Sequence, residues 1–236
     1  MLENRLDSRA FSIFSQADQD HLRGLTKPSA EPDVTKDNWP RFRGPGGMGV
    51  SDATGLPLEW DAENNVAWKT PLPGSGASSP ITFGDHIYLT CYSGYFVPDE
   101  PGGSLDQLKR HLIALRRDTG EIVWDKTVPA KLPEESRIRD HGYAANTPAA
   151  DADRVYAFFG KTGVFAFDHD GNQLWQADVG SATSGWGTAA SPLLYKDKVI
   201  INASVESQLL IALDRKTGQE KWRASGIREA WNTPVI

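Results

Sequence analysis

The fold is decided by one stretch of the sequence, Ala212-Leu213-Asp214-Arg215-Lys216-Thr217-Gly218-Gln219-Glu220-Lys221-Trp222. The same pattern occurs earlier at residues 114–124, and a version one residue shorter occurs at 166–175. Each copy joins a short apolar run to a turn with aspartate and glycine, and then to a second run that holds a tryptophan. This arrangement is typical of two antiparallel strands and their connection, so the chain contains a repeated structural unit.

A serine or threonine followed by proline precedes an apolar run four times, at Ser79-Pro80, Thr147-Pro148, Ser191-Pro192 and Thr233-Pro234. After a longer first interval the units recur about every 40–50 residues, and such a period with four strand-like runs per unit is typical of a β-propeller blade. In the third unit we predict strands at 190–195, 198–203, 209–214 and 220–224. We also predict that Asp214 accepts hydrogen bonds from its turn, that Gly218 takes a positive φ, and that Trp222 covers the gap between blades.

Composition excludes several classes of protein. The chain has 236 residues, with 25 basic and 31 acidic side chains and a net charge of −6. Because the basic residues are not clustered, nucleic acid is not expected to be the main partner. No apolar run is long enough for a transmembrane segment, and residues 1–30 show no secretory signal. The single cysteine, Cys91, excludes an internal disulfide, a cysteine-rich zinc site and a C-x-x-C motif within this sequence.

Three segments differ in character. We predict that residues 1–37 form an N-terminal extension, in which the pattern permits a short amphipathic helix followed by a linker rich in proline and charge. Residues 38–65 are predicted to be a lead-in segment, and residues 66–236 carry the repeats. We predict three complete blades, with flanking strands at 66–72 and 231–236. Since propellers typically close with four to eight blades, we expect a fragment whose open edges are completed by missing blades or by another chain.

Candidate binding residues stand just before three of the predicted inner strands, where the connecting loops of a propeller converge on one mouth of its channel. They are Arg139, His141, Tyr143, Asn146, Trp186, Glu229, Trp231 and Asn232. Two tryptophan faces with a histidine and paired charges suit a flat or sugar-like ligand, and we hypothesise that His141, Trp186 and Trp231 share one ligand-facing mouth. The alternative is that the tryptophans only cap adjacent blades. We predict no catalytic and no metal-ligating residue.

The repeated motif resembles the PQQ-like propeller repeat, PQQ being pyrroloquinoline quinone. This repeat is shared by quinoprotein alcohol dehydrogenases, by the outer-membrane assembly lipoprotein BamB and by uncharacterised bacterial proteins, whose opening resembles Asn38-Trp39-Pro40-Arg41-Phe42-Arg43-Gly44-Pro45-Gly46-Gly47-Met48-Gly49. This opening also matches the G-x-G-x-x-G dinucleotide fingerprint at 44–49, but the required strand and helix are not predicted around it.

The resemblance implies an all-β partial propeller that acts as a non-catalytic binding or scaffolding module. It further implies a protein partner or a small polar or glycan ligand, and an extracytoplasmic location. One alternative is part of a PQQ-dependent alcohol or sugar dehydrogenase with PQQ and Ca²⁺. A single cysteine cannot form the adjacent-cysteine ring of those enzymes, and their calcium ligands match no motif in this sequence. A further alternative is a glycan- or peptide-binding propeller.

Overall fold

The computed structural model, which describes residues 38–100, 102–138 and 141–236, contains three antiparallel sheets of four strands. The predicted helix and linker in 1–37, and Arg139, lie outside the described residues. The first sheet contains β1 (Ile81–Phe83), β2 (His86–Ser93), β3 (Lys109–Arg116) and β4 (Ile122–Pro129). The second contains β5 (Ala149–Ala150), β6 (Val155–Phe158), β7 (Val164–Phe167) and β8 (Gln173–Ala177). The third contains β9 (Leu193–Tyr195), β10 (Lys198–Ala203), β11 (Leu209–Asp214) and β12 (Glu220–Ser225).

In each sheet the strands follow one another in chain order, which is the arrangement of a propeller blade. The predicted partial β-propeller is therefore confirmed. In the third blade β10 and β11 have the predicted bounds, whereas the inner strand starts only at Leu193. The residues just before it bond to other segments instead. The Ser191 N–H donates to the Thr233 hydroxyl, and the Ser191 hydroxyl accepts from the Thr147 N–H. The Ala190 carbonyl accepts from the Asn146 amide.

The flanking segments differ from the expectation, because neither 66–72 nor 231–236 forms a strand. A strand requires backbone pairing with a neighbour, and the first segment is attached through side chains instead. The Trp68 indole N–H donates to the Arg117 carbonyl at 3.2 Å, and the Thr70 hydroxyl donates to the Gly120 carbonyl at 2.6 Å. Residues 66–72 therefore lie against the turn between β3 and β4.

The repeated tryptophans join each blade to the next. The Trp124 indole N–H donates to the His169 carbonyl at 2.9 Å, and that of Trp175 donates to the Arg215 carbonyl at 3.1 Å. Both tryptophans are only 8% exposed and belong to apolar clusters shared by two blades. Under the Trp175 ring lies Gly218, where a Cβ would come within 2.6 Å of the indole. The spaced tryptophan and glycine of the motif are thus contact partners across a blade interface.

This contact predicts that Gly218→Ala destabilises the protein by about 2–4 kcal/mol, the sum of left-handed backbone strain at φ 72° and displacement of Trp175. The measurement is urea unfolding. Gly226→Ala is the matched control, because Gly226 also has a positive φ, 94°, but nothing lies within 4 Å of its added Cβ. An equal loss of stability in both variants would contradict the tryptophan–glycine contact.

The Ser/Thr-Pro pairs form a ladder of hydroxyl groups across the starts of the inner strands. The Ser79 N–H donates to the Thr147 hydroxyl, the Thr147 N–H to the Ser191 hydroxyl, and the Ser191 N–H to the Thr233 hydroxyl, each at 3.0 Å. A buried backbone N–H left without a partner is costly, so the repeated hydroxyls satisfy donors that the sheets do not pair. The ladder holds the loops at this end of the blades in register.

The lead-in segment lies against the first two blades. The Trp39 and Thr82 backbones exchange two hydrogen bonds of 3.0 Å, and the Ala150 N–H donates to the Pro40 carbonyl at 2.8 Å. A three-residue 3₁₀ helix, Pro45–Gly47, follows, and no longer helix begins between residues 48 and 80. The segment therefore contacts β1 and β5, the first strands of the first two blades.

Candidate functional site

A pocket of about 530 Å³ opens where the loops before the inner strands meet. Its lining includes Arg41, Arg43, His141, Trp186, Trp231 and Asn232, and we call it the mouth pocket. The two arginines come from the lead-in segment, and the other four residues come from the loops before β5 and β9 and from the segment after β12. A volume of this size is in the range of roughly 300–1,000 Å³ typical of ligand sites.

Two tryptophans stand side by side in the mouth pocket, with ring centroids 6.3 Å apart and planes at 56°. The Trp231 indole N–H donates to the Gly187 carbonyl at 2.9 Å, and His141 Nε2 donates to the Trp186 carbonyl at 2.8 Å. Both bonds fasten the 184–188 loop, while the Trp186 side chain stays 51% exposed. The arrangement presents two inclined apolar ring faces on a backbone that is held in place.

The other predicted site residues are placed differently. Tyr143 is buried and its hydroxyl donates to the Glu135 carbonyl at 2.7 Å, while Asn146 is buried and its amide donates to the Ala190 carbonyl at 2.6 Å. Both side chains therefore bond within the protein and do not line the mouth pocket. Glu229 is exposed outside the lining, with φ 44°, and Asn232 lines the pocket while its carbonyl accepts from Asn202 at 2.9 Å. The structure thus brings together His141, Trp186, Trp231 and Asn232.

Sequence reasoning missed Arg41 and Arg43. Arg43 has φ 62°, a left-handed conformation that few residues other than glycine adopt. A Cβ at the adjacent Gly44 would lie 2.6 Å from the Trp39 ring, so the turn is closed against that indole. The signal that could have found them is the run of aromatic residues, arginines and glycines at 39–47, but its position beside the channel depends on the distant pairing of Trp39 with Thr82.

A second, smaller cavity of about 20 Å³ is lined by residues of the loops before β5 and β9 and by buried charged groups. Arg110 and Glu134 form an ion pair of 2.6 Å with side chains 4% and 5% exposed. The Arg110 guanidinium also donates to the Tyr143 carbonyl at 3.1 Å and to the Thr162 hydroxyl at 2.9 Å. This network ties β3 to the 134–143 loop and to the second blade.

Glu206 lines the smaller cavity from the turn between β10 and β11 and is only 4% exposed. Its Oε2 has no hydrogen-bond partner among the described residues. Burial raises the pKa of this carboxyl from the usual 4.5 to about 7. Its backbone carbonyl accepts from the Ser181 and Ala182 N–H groups at 3.1 Å, so the turn also supports the loop that carries Trp186.

The residues of the mouth pocket do not fit a calcium-supported quinone, the cofactor that the dehydrogenase alternative implies. Calcium is bound by several oxygen ligands, usually with carboxylates among them, and no aspartate or glutamate of the described ranges lines this pocket. Glu134 and Glu206 face the smaller cavity, whose volume suits about one water molecule. Elsewhere in the described chain, no three histidine, cysteine, aspartate or glutamate side chains gather in a metal-binding group.

Cys91 is buried in β2, and burial raises the pKa of its thiol to about 12.

Among the residues with described coordinates, none of the helices has the length and apolar character to cross a membrane.

Comparison with known proteins identifies the repeat region. A family model described as outer membrane protein assembly factor BamB matches residues 104–232, which is more than half of the chain. Comparison with curated proteins gives no match.

Three solved structures share the fold. One is a europium-containing methanol dehydrogenase, with a TM-score of 0.56 and 16% identity over 86% of this chain and 33% of that chain. The second is the quinohemoprotein alcohol dehydrogenase from Comamonas testosteroni, with a TM-score of 0.55 and 18% identity over 86% of this chain and 28% of that chain. The third is a quinohemoprotein alcohol dehydrogenase from Pseudomonas putida HK5, with a TM-score of 0.51 and 18% identity over 81% of this chain and 27% of that chain. This chain therefore spans about a third or less of each structure, and identities this low show the fold alone.

Proposed function

Because this chain belongs to the PQQ-like propeller family described as outer membrane protein assembly factor BamB, we propose that it is a non-catalytic binding or scaffolding module that holds a segment of a partner protein in its mouth pocket. The observation that carries the proposal is the exposed Trp186 beside Trp231 in a pocket of about 530 Å³. Tryptophan is enriched among the residues that dominate the affinity of protein interfaces. An indole half exposed on a fixed loop is a surface that a partner can cover.

The geometry of the 184–188 loop favours binding over blade capping as the role of Trp186. Its carbonyl accepts from His141 and the nearby Gly187 carbonyl accepts from Trp231, so neighbouring residues hold the loop through its backbone. The blade-joining tryptophans, Trp124 and Trp175, are buried to 8% exposure, whereas Trp186 is 51% exposed. A residue that only closed a blade interface would lie under the next blade as those two do.

The experiment compares Trp186→Ala and Trp231→Ala with the unmodified chain in binding to a partner recovered by affinity capture. Loss of an interface residue of this kind costs about 2 kcal/mol or more, so we expect affinity to fall about 30-fold or more in each variant. Trp60→Ala is the matched control, because Trp60 is 70% exposed and lies outside the mouth pocket. Equal weakening by all three substitutions, or by none, would contradict the proposal.

A glycan is a second candidate, favoured by the same tryptophan pair, since aromatic faces with nearby polar groups also suit sugar rings. Binding of a panel of oligosaccharides to the chain and to Trp186→Ala distinguishes the two candidates. The dehydrogenase alternative is tested by adding PQQ and Ca²⁺ and following reduction of a dye. We expect no reduction, because the described lining lacks the carboxylates such a site requires.

We also propose an extracytoplasmic location. The family description, outer membrane protein assembly factor, supports it. Fractionation of the cells that produce the natural protein tests it directly, and recovery in the cytoplasmic fraction would contradict it.

A further inference from the structure

We infer that the mouth pocket selects an acidic peptide segment, in which a carboxylate lies next to an apolar side chain. The inference rests on the proposed function and names the chemistry of the partner. It is carried by the charges and aromatic faces of the pocket.

The charge of the mouth pocket is opposite to that of the whole chain. Its described charged side chains are Arg41 and Arg43, and the imidazole of His141 lies with them. No described aspartate or glutamate lines it, although the chain has 31 acidic and 25 basic residues. A pocket whose described lining has two arginine side chains and no acidic side chain, in a protein of negative net charge, favours a negatively charged ligand.

Arg43 is placed to bind a carboxylate. Its side chain is exposed, its Nη2 donates to the Met48 carbonyl at 3.3 Å, and it forms no ion pair with any carboxylate in the described ranges. Its carbonyl accepts from the Gly49 N–H at 2.8 Å, which holds the turn. A guanidinium has five donors in a planar fork, so it can keep this bond and still pair with a carboxylate.

The neighbouring tryptophans determine what else the ligand carries. Trp186 and Trp231 offer apolar faces beside the arginines, so a ligand that satisfies the whole pocket combines an anionic group with an apolar or aromatic one. A nucleic acid is disfavoured, because a phosphate polymer needs a long basic face and this chain has a net charge of −6. A peptide with acidic and aromatic side chains meets both requirements.

The experiment is a fluorescence titration with three capped pentapeptides that share a central phenylalanine. The flanking residues are Glu and Asp in the first peptide, Gln and Asn in the second, and Lys in the third. A charge-assisted hydrogen bond contributes about 1.5–3 kcal/mol, so we expect the acidic peptide to bind about tenfold or more tightly than the neutral one. We also expect its binding to weaken with added salt.

Variants of the arginine complete the test. Arg43→Gln is expected to remove most of the acidic preference, and Arg43→Glu is expected to reverse it in favour of the lysine peptide. Arg223→Gln is the control, since Arg223 is an exposed arginine on β12 that does not line the mouth pocket. Circular dichroism checks that each variant is folded, and Arg43→Gln alone decides the result if the charge reversal does not fold.

The outcomes separate the inference from the proposed function. If the neutral or lysine peptide binds as well as the acidic one, and binding still depends on Trp186, the acidic preference is wrong and the proposed function stands. If a sulfated glycan or an anionic lipid vesicle binds through Arg43 and no peptide does, the inference is likewise wrong. If no peptide binds and the captured partner does not depend on Trp186, the proposed function fails as well.

Discussion

Replacing Arg110 by alanine is expected to lower the free energy of unfolding by about 3–5 kcal/mol, because it leaves the Glu134 carboxylate buried without its partner. The same substitution removes the guanidinium bonds to the Tyr143 carbonyl and the Thr162 hydroxyl. Urea unfolding measures the change. The expected loss is large because an unpaired charge costs far more free energy in a buried position than in an exposed one.

The control is Arg223→Ala, which breaks an exposed ion pair with Glu220 on β12. Exposed pairs contribute about 0–1 kcal/mol, so this variant should be nearly as stable as the unmodified chain. A double variant, Arg110→Met with Glu134→Leu, should recover much of the lost stability, because both buried charges are then gone. Similar losses in Arg110→Ala and Arg223→Ala would contradict the role of the buried network.

Glu206→Gln is expected to stabilise the protein at pH 8 by about 2–3 kcal/mol relative to the unmodified chain. The folded state raises the pKa of this carboxyl from 4.5 to about 7 through burial. Because the pKa is higher in the folded state, the folded chain keeps a proton on Glu206 between about pH 4.5 and 7, where the unfolded chain has lost it. Stability from Glu206 is therefore fully present below pH 4.5 and is lost as the pH rises to about 7.

The measurement is the difference in unfolding free energy between the unmodified chain and Glu206→Gln from pH 4 to pH 8. We expect the difference to grow between about pH 4.5 and 7 and then to level off. Glu135→Gln is the control for placing an amide near the same cavity. The Glu135 side chain accepts a hydrogen bond of 2.5 Å from the hydroxyl of Thr183, which lines that cavity. A difference that does not change with pH would show that Glu206 is ionised at little cost.

The repeat made the fold predictable because its information is local. Each copy carries its own turn, and Asp214 does accept hydrogen bonds from the Lys216 and Thr217 N–H groups at 2.9 Å, as the motif indicated. The strand bounds 198–203 and 209–214 followed from the same pattern. The prediction that Trp222 covers a gap between blades stays a prediction, because Trp222 is half-buried against residues of its own sheet. The equivalent tryptophans of the first two blades, Trp124 and Trp175, do join successive blades.

The contacts between units were less predictable, since they join residues of different repeats. The Ser/Thr-Pro pairs marked the starts of the inner strands, but the ladder from the Thr147 N–H to the Ser191 hydroxyl appears only when the blades are side by side. Likewise Gly218 was assigned only a positive φ from its turn. Its contact with Trp175 requires knowledge of which blade packs on which.

The candidate site was predictable in part, because the loops before the inner strands do converge. His141, Trp186 and Trp231 line one pocket, and the hypothesis that this pocket faces a ligand stays a prediction. Tyr143 and Asn146 stand on the same loops but turn inward to satisfy carbonyl groups, and a sequence does not show which way a loop side chain points. Arg43 was missed because its place in the pocket depends on the lead-in segment pairing with β1.

The most direct test of binding at the mouth pocket is hydrogen exchange of the unmodified chain, alone and with the partner recovered by affinity capture. We expect slower exchange on binding at the backbone amides of 184–188, 228–232 and 41–44, and no change on β4, β8 or β12. Protection confined to those outer strands, with the mouth loops exchanging as in the free chain, would contradict the account.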